Sequence, residues 1–146
     1  MFNFKHYVPI LKWKQGEYSA LQELSPSQKP MITPLIEIPS IPWNYVEDEP
    51  AKSIDDHLSS IPDQLEKSWG NGSDLFLDLL LIPVEESMAD GRHPLIYIFD
   101  EARSKNLKLI PTTGLSRDDQ YQDAIREIIS IDNRGVCLRI EGNDIE

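Results

Sequence analysis

Short apolar runs alternate along the chain with segments whose apolar residues recur every three or four positions. The runs predict five strands near residues 7–11, 31–38, 75–82, 107–111 and 136–140. The intervening segments predict helices over residues 17–24, 54–69, 94–105 and 117–132, the second bent near Pro62 and the last capped by Ser116. Strands that alternate with helices form parallel sheets with right-handed crossovers. The pattern therefore predicts an α/β fold of βαβ repeats.

The third predicted strand is the most uniformly apolar of the five, and Asp78 is its only charged residue. A strand without polar alternation is typical of a parallel sheet that is covered on both faces. A carboxylate in such a strand must be ion-paired, metal-bound or raised in pKa. Asp78 is therefore the most informative polar residue of the chain.

Two architectures fit five parallel strands in 146 residues. The favoured one is the first five strands of a TIM-like (β/α) barrel, and the alternative is a five-stranded doubly wound open sheet. A complete barrel takes about 250 residues and rarely fewer than 200. The barrel interpretation thus makes residues 1–146 a single α/β domain that forms the N-terminal part of a longer barrel. Strand order 1-2-3-4-5 would support the barrel, and 2-1-3-4-5 the doubly wound sheet.

The charge balance limits the partners of this protein. Fourteen basic and 25 acidic residues give a formal net charge of -11, which disfavours general nucleic-acid binding because phosphates would be repelled. Cys137 is the only cysteine, so no intrachain disulfide can form, and packing is its expected role. No apolar stretch reaches the roughly 18 residues of a membrane span. These features predict a soluble, cytoplasmic protein that does not bind membranes.

Two stretches resemble the N-terminal portion of the beta protein family of phages and bacteria. They are YVPILKWKQGEYSAL at residues 7–21 and PLIEIP at residues 34–39, and PTTG at residues 111–114 extends the likeness. Members of that family are usually more than twice as long as this chain. The resemblance implies a longer protein in a setting of phage infection or phage defence. It implies no catalytic residue.

Polar residues stand near the carboxyl end of each predicted strand. Because side chains two positions apart share a face of a strand, each such residue can be assigned to a face. One face is predicted to carry Lys12, Lys14, Glu37, Asp78, Thr112 and Arg139. The carboxyl ends of barrel strands are where active sites are built. The sequence therefore predicts a candidate site at this edge.

The candidate site combines both signs of charge. Lys12, Lys14 and Arg139, with Thr112, are predicted to bind an anionic small molecule. Glu37 and Asp78 are predicted to act as catalytic acid or base, or to hold a divalent metal as cofactor. The alternative is an internal network of ion pairs that neutralises itself.

Two functions follow from these alternatives. The first is a barrel enzyme acting on a phosphorylated or otherwise anionic substrate. The second is a non-catalytic binding or interaction protein of phage–host conflict, with a protein partner. Convergent polar groups in an open pocket would favour the first, and closed, self-paired charges the second. Open sheet edges also predict self-association. The three histidines, His6, His57 and His93, lack metal-ligand spacing and are predicted to lie on the surface.

Overall fold

A five-stranded parallel sheet forms the centre of the protein in the computed structural model, which describes residues 2–145. Its strands are β1 Ile10–Lys12, β2 Leu35–Glu37, β5 Leu75–Asp78, β6 Leu109–Thr113 and β7 Cys137–Leu138. They pair in the order β1-β2-β5-β6-β7, which is the order of the chain and the one expected for consecutive barrel strands. The sheet is open, because no pairing joins β1 to β7 within residues 2–145. The predicted α/β class with parallel βαβ repeats is confirmed.

Within residues 2–145, five α-helices connect or follow these strands. They are α1 Gln15–Gln22, α2 Ile54–Leu58, α3 Ile61–Ser68, α4 Pro94–Ser104 and α5 Asp119–Asp132, and two 3₁₀ turns cover Lys29–Met31 and Gly142–Asp144. No helix within residues 2–145 is long and apolar enough to cross a membrane.

The helix predicted over residues 54–69 is two helices, and the boundary lies just before Pro62. Proline is favoured in the first turn of a helix, where its missing N–H has no partner to lose. The chain therefore begins α3 at this point instead of continuing α2. The predicted cap of the last helix was also wrong by two residues. Asp118 caps α5, and its carboxylate accepts a hydrogen bond from the Tyr121 backbone N–H at 3.0 Å.

Four strands are shorter than predicted, and the strand predicted over residues 107–111 lies two residues later, at Leu109–Thr113. The long loop after β2 contains an element that the pattern did not reveal. There β3 Trp43–Asn44 and β4 Glu49–Pro50 form an antiparallel hairpin. The predicted third strand stops at Asp78 because the carboxylate of Asp78 accepts the backbone N–H of Leu80 at 2.9 Å. A side chain that takes up a nearby backbone donor in this way turns the chain out of the ladder.

The main hydrophobic core lies between one face of the sheet and the helices. Ile36 and Leu77 fill its centre from β2 and β5, and neither is exposed to solvent. Fully buried Leu65, Ile98 and Ile128 meet them from α3, α4 and α5. The helices thus cover one face of the sheet, which leaves the opposite face to carry the polar row.

The opposite face is covered at its amino-terminal end by residues 2–6. Phe2 stacks on Phe76 of β5 with ring centroids 6.1 Å apart, and His6 Nε2 lies 2.8 Å from the Thr33 hydroxyl. The edge strands β1 and β7 remain accessible to solvent, and Ile10 on β1 is 55% and Leu138 on β7 is 53% exposed.

His57 and His93 do not lie on the open surface as predicted. His57 is buried, and its Nε2 donates to the carbonyl of Pro39 at 2.7 Å. His93 is half-buried at the start of α4, where its Nδ1 accepts the Leu95 backbone N–H at 3.1 Å. Each imidazole supplies a backbone group with a hydrogen-bond partner, in the next turn of chain for His93 and 18 residues away for His57. Spacing along the sequence cannot show such a role.

Candidate functional site

The strand register brings the predicted polar residues into one row. Lys12 is level with Glu37, and Glu37 is level with Asp78. Thr112 follows in line on β6, and its own neighbour on β7 is Cys137, two residues before Arg139. All of them therefore belong to the face that the helices leave free, at the carboxyl end of the sheet.

Arg139 joins the two carboxylates of this row. Its Nη1 donates to Glu37 Oε2 at 2.6 Å and to Asp78 Oδ2 at 3.1 Å. The hydrogen bond to Glu37 raises the pKa of Arg139, and that to Asp78 adds to the effect. The Glu37 and Asp78 side chains are 5% and 0% exposed, so the ion pairs are largely shielded from water. Shielded charges of this kind depend on their partners for stability.

The contact between Arg139 and Glu37 crosses two strands of the sheet. β7 and β2 are separated by β5 and β6, which is about 14 Å in a flat sheet. The two side chains therefore reach toward each other across β5 and β6 and meet beside Asp78.

Arg117 is the residue of this cluster that the sequence analysis missed. Its Nη2 lies 2.9 Å from Asp78 Oδ1 and 3.0 Å from Oδ2, and its side chain is 7% exposed. The alternation of faces applies to strand residues only, whereas Arg117 belongs to the loop between β6 and α5. Its position in the loop after a strand could have indicated it, because barrel sites are assembled from the loops that follow the strands.

Gly114 allows the two arginines to approach the end of β6. A Cβ atom at this position would stand 3.1 Å from the Arg139 carbonyl oxygen and 3.4 Å from Arg117 Nε. The first distance is tighter than most contacts between carbon and backbone oxygen. A side chain at this position would therefore crowd the Arg139 carbonyl, whereas the backbone dihedral angles of Gly114 do not themselves favour glycine.

Tyr121 ties together the strand ends beneath the cluster. Its buried hydroxyl donates to the Thr112 carbonyl at 2.9 Å and accepts the Leu79 backbone N–H at 3.4 Å. Burial raises the pKa of this phenol, and the charge of Asp78 raises it further. The hydroxyl thus stays protonated and holds the carboxyl ends of β5 and β6 in place.

In the described part of the chain, the remaining residues of the predicted site form no ion pair with the cluster. Lys12 and Lys14 are exposed and form no ion pair within residues 2–145, and Lys14 is the residue that precedes α1. The Thr112 hydroxyl is buried without a hydrogen-bond partner in the same part of the chain. Cys137 is half-buried beside it, and burial raises the pKa of its thiol. The structure therefore brings Glu37, Asp78 and Arg139 into contact, and leaves both lysines at the rim.

The donor set is not arranged for a metal ion. Across residues 2–145, no group of three His, Cys, Asp or Glu side chains converges as a metal site would require. Asp78 already accepts two arginines and a backbone N–H. A carboxylate so occupied would have to give up these partners in order to bind a cation.

These observations define a class of protein: an α/β protein with consecutive parallel strands and a charged cluster at their carboxyl ends. A family model described as Beta protein matches residues 7–146, and the chain belongs to this family. No curated protein and no solved structure matches the chain.

Proposed function

We propose that this protein binds an anionic ligand at the carboxyl end of its sheet, through Arg139 with Lys12 and Lys14. The observation that carries the proposal is the way in which Arg139 forms its hydrogen bonds. One nitrogen, Nη1, serves both carboxylates, so that Nε and Nη2 have no protein partner within residues 2–145. A guanidinium fixed in this way presents a planar pair of donors that suits phosphate or carboxylate groups.

The local charge supports the same ligand class. Arg117 and Arg139 balance Asp78 and Glu37, and the unpaired Lys12 adds positive charge level with Glu37 on β1. The chain as a whole carries a formal charge of -11, so a positive edge is a local departure from its average. Such an edge concentrates anions near the polar face of the sheet.

The geometry favours binding over acid–base catalysis. A general base needs an oxygen that is free to reach a substrate proton. Both oxygens of the fully buried Asp78 contact arginines, and Glu37 holds Arg139 through Oε2 while its side chain is only 5% exposed. We therefore propose that the two carboxylates orient the arginines, and that the ligand is an anion instead of a divalent metal.

Titration calorimetry with inorganic phosphate and pyrophosphate at low salt tests the proposal. Lys12→Gln should weaken binding about threefold to tenfold, because one exposed charge contact is lost. Lys67→Gln is the matched control, since Lys67 is also exposed but lies on α3 and faces no part of the row. Arg139→Lys should weaken binding further, because lysine cannot present paired donors. No binding by the unaltered protein, or equal binding by all variants, would contradict the proposal.

We further propose that the protein is a non-catalytic interaction protein, and that its anion binding serves phage infection or the host defence against it. The support is family membership together with the self-paired charges of the cluster. Plaque assays on cells that express the unaltered protein or Arg139→Lys test the role. The variant should lose any effect on plating efficiency while its expression level is unchanged. A variant as effective as the unaltered protein would separate the role from the anion site.

A further inference from the structure

A cavity of about 130 Å³ lies beside the charged cluster, outside the polar row of the sheet. It is formed by the chain that follows β5, the start of α4 and the loop between β6 and α5. Its lining has an apolar part and a polar part, and the polar part carries both signs of charge. Nothing in the proposed function uses this space.

Arg117 supplies positive charge to the cavity. Its side chain is more than nine-tenths buried and is held by Asp78 through Nη2 alone. Its other nitrogens have no hydrogen-bond partner within residues 2–145, and Arg117 is one of the residues that line the cavity. The guanidinium also lies over the ring of Tyr121, 5.2 Å from its centroid. A buried, pre-oriented arginine with spare donors is suited to hold a carboxylate.

His93 adds a neutral donor on the same side. Its Nδ1 accepts the Leu95 N–H, which places the proton of the neutral ring on Nε2. Burial lowers the pKa of His93, although the charge of Asp118 opposes this, so the ring favours the neutral form. The imidazole contributes a hydrogen-bond donor without adding charge.

Two acids line the cavity as well, and they decide which ligand fits. Asp118 uses one oxygen as the cap of α5, and its second oxygen has no partner within residues 2–145. Glu86 lies on the segment after β5. Since Asp78 already balances Arg117, these acids make the cavity negative overall, and a simple anion would be repelled. A simple cation would leave the spare donors of Arg117 unpaired.

The apolar part of the cavity is suited to a small hydrocarbon group. It is formed by Leu79, Leu80, Ile82, Pro83, Val84 and Pro94. An apolar cavity of about 150 Å³ is known to hold benzene, so the whole of the present cavity, at about 130 Å³, accommodates one small ligand. The ligand therefore combines a short apolar group with one positive and one negative charge.

We propose that this cavity binds an apolar α-amino acid. The carboxylate lies at Arg117, the ammonium group faces the free oxygen of Asp118, and the side chain packs against Leu80 and Ile82. The inference goes beyond the anion site and does not depend on it, because it uses neither Arg139 nor the lysines. Failure of phosphate binding would leave it intact.

Calorimetry with leucine and three related probes tests this assignment. The probes are isoamylamine, which lacks the carboxylate, 4-methylpentanoate, which lacks the ammonium group, and glycine, which lacks the apolar group. Leucine should bind at least tenfold more tightly than each of them. If 4-methylpentanoate or isoamylamine binds as well as leucine, or if leucine does not bind at millimolar concentration, the proposal is overturned.

Asp118→Asn provides a variant that keeps the fold. Asparagine caps helices about as well as aspartate, so α5 is retained while the charge is removed. The variant should weaken leucine binding about tenfold and leave 4-methylpentanoate binding unchanged or stronger. Asp119→Asn is the matched control, because Asp119 occupies the next position but does not line the cavity. Equal loss in both variants would show a general effect of charge and would overturn the assignment.

Discussion

Replacement of Asp78 by asparagine is the most direct perturbation of the charged cluster. Asparagine keeps the size of the side chain and removes its charge. Arg117, whose side chain is 7% exposed, would lose its carboxylate partner within residues 2–145, whereas Arg139 would keep Glu37. The variant therefore leaves one shielded guanidinium without its ion-pair partner.

The expected loss in the free energy of unfolding follows from the burial of the Asp78–Arg117 ion pair. Breaking a buried ion pair by removal of one partner costs about 3 to 5 kcal/mol. For a chain of this length, each kcal/mol lowers the melting temperature by roughly 2 to 4 °C. Asp78→Asn should thus lower the melting temperature by about 6 to 20 °C. Glu37→Gln should cost less, about 1 to 2 kcal/mol, because Arg139 keeps Asp78 and is partly exposed.

Thermal and urea denaturation of both variants, with phosphate titration of the same samples, measures these values. The double variant Asp78→Asn, Arg117→Met should recover part of the loss, since removal of the stranded charge relieves its desolvation. If Asp78→Asn costs no more than about 1 kcal/mol while phosphate binding is abolished, Asp78 acts on the ligand directly and the positioning role assigned here is wrong.

Three further predictions concern space, pH and association. Gly114→Ala should destabilise the protein because of the close Arg139 carbonyl, whereas Gly16→Ala, with open space in a helix, should stabilise it by about 0.5 to 1 kcal/mol in the same melts. Burial lowers the pKa of His57 in the folded protein, so as the pH falls the unfolded chain binds a proton at His57 before the folded protein does. The contribution of His57 to stability is therefore fully present above about pH 6.5 and is lost as the pH drops below this value. His57→Gln should reduce the difference in urea midpoint between pH 7.5 and 5.5, and an unchanged difference would refute the assignment. The exposed Ile10 and Leu138 on the edge strands predict concentration-dependent association in sedimentation velocity, which a single monomeric species at all concentrations would contradict.

The alternation of strand residues was sufficient to predict the polar row. Period-two geometry fixes which residues share a face, and register then aligns neighbouring strands, so Glu37, Asp78 and Arg139 meet as their positions suggested. Arg117 was missed because a loop residue has no periodicity, and its place depends on the turn at Gly114. The early end of β5 was missed for a related reason. An aspartate that captures the next backbone N–H looks, in sequence, like any strand residue.

The order of the strands has a consequence for how the chain folds during synthesis. Each strand of the sheet pairs with the strand before it, and no later segment must insert between two earlier ones. Contacts between neighbouring units close short loops, which favours rapid folding. As the nascent chain leaves the ribosome, β2 can add to β1 and β5 to β2 without rearrangement of what has already formed. Arg139 comes last, so the Glu37 and Asp78 carboxylates lack this partner until β7 has been made.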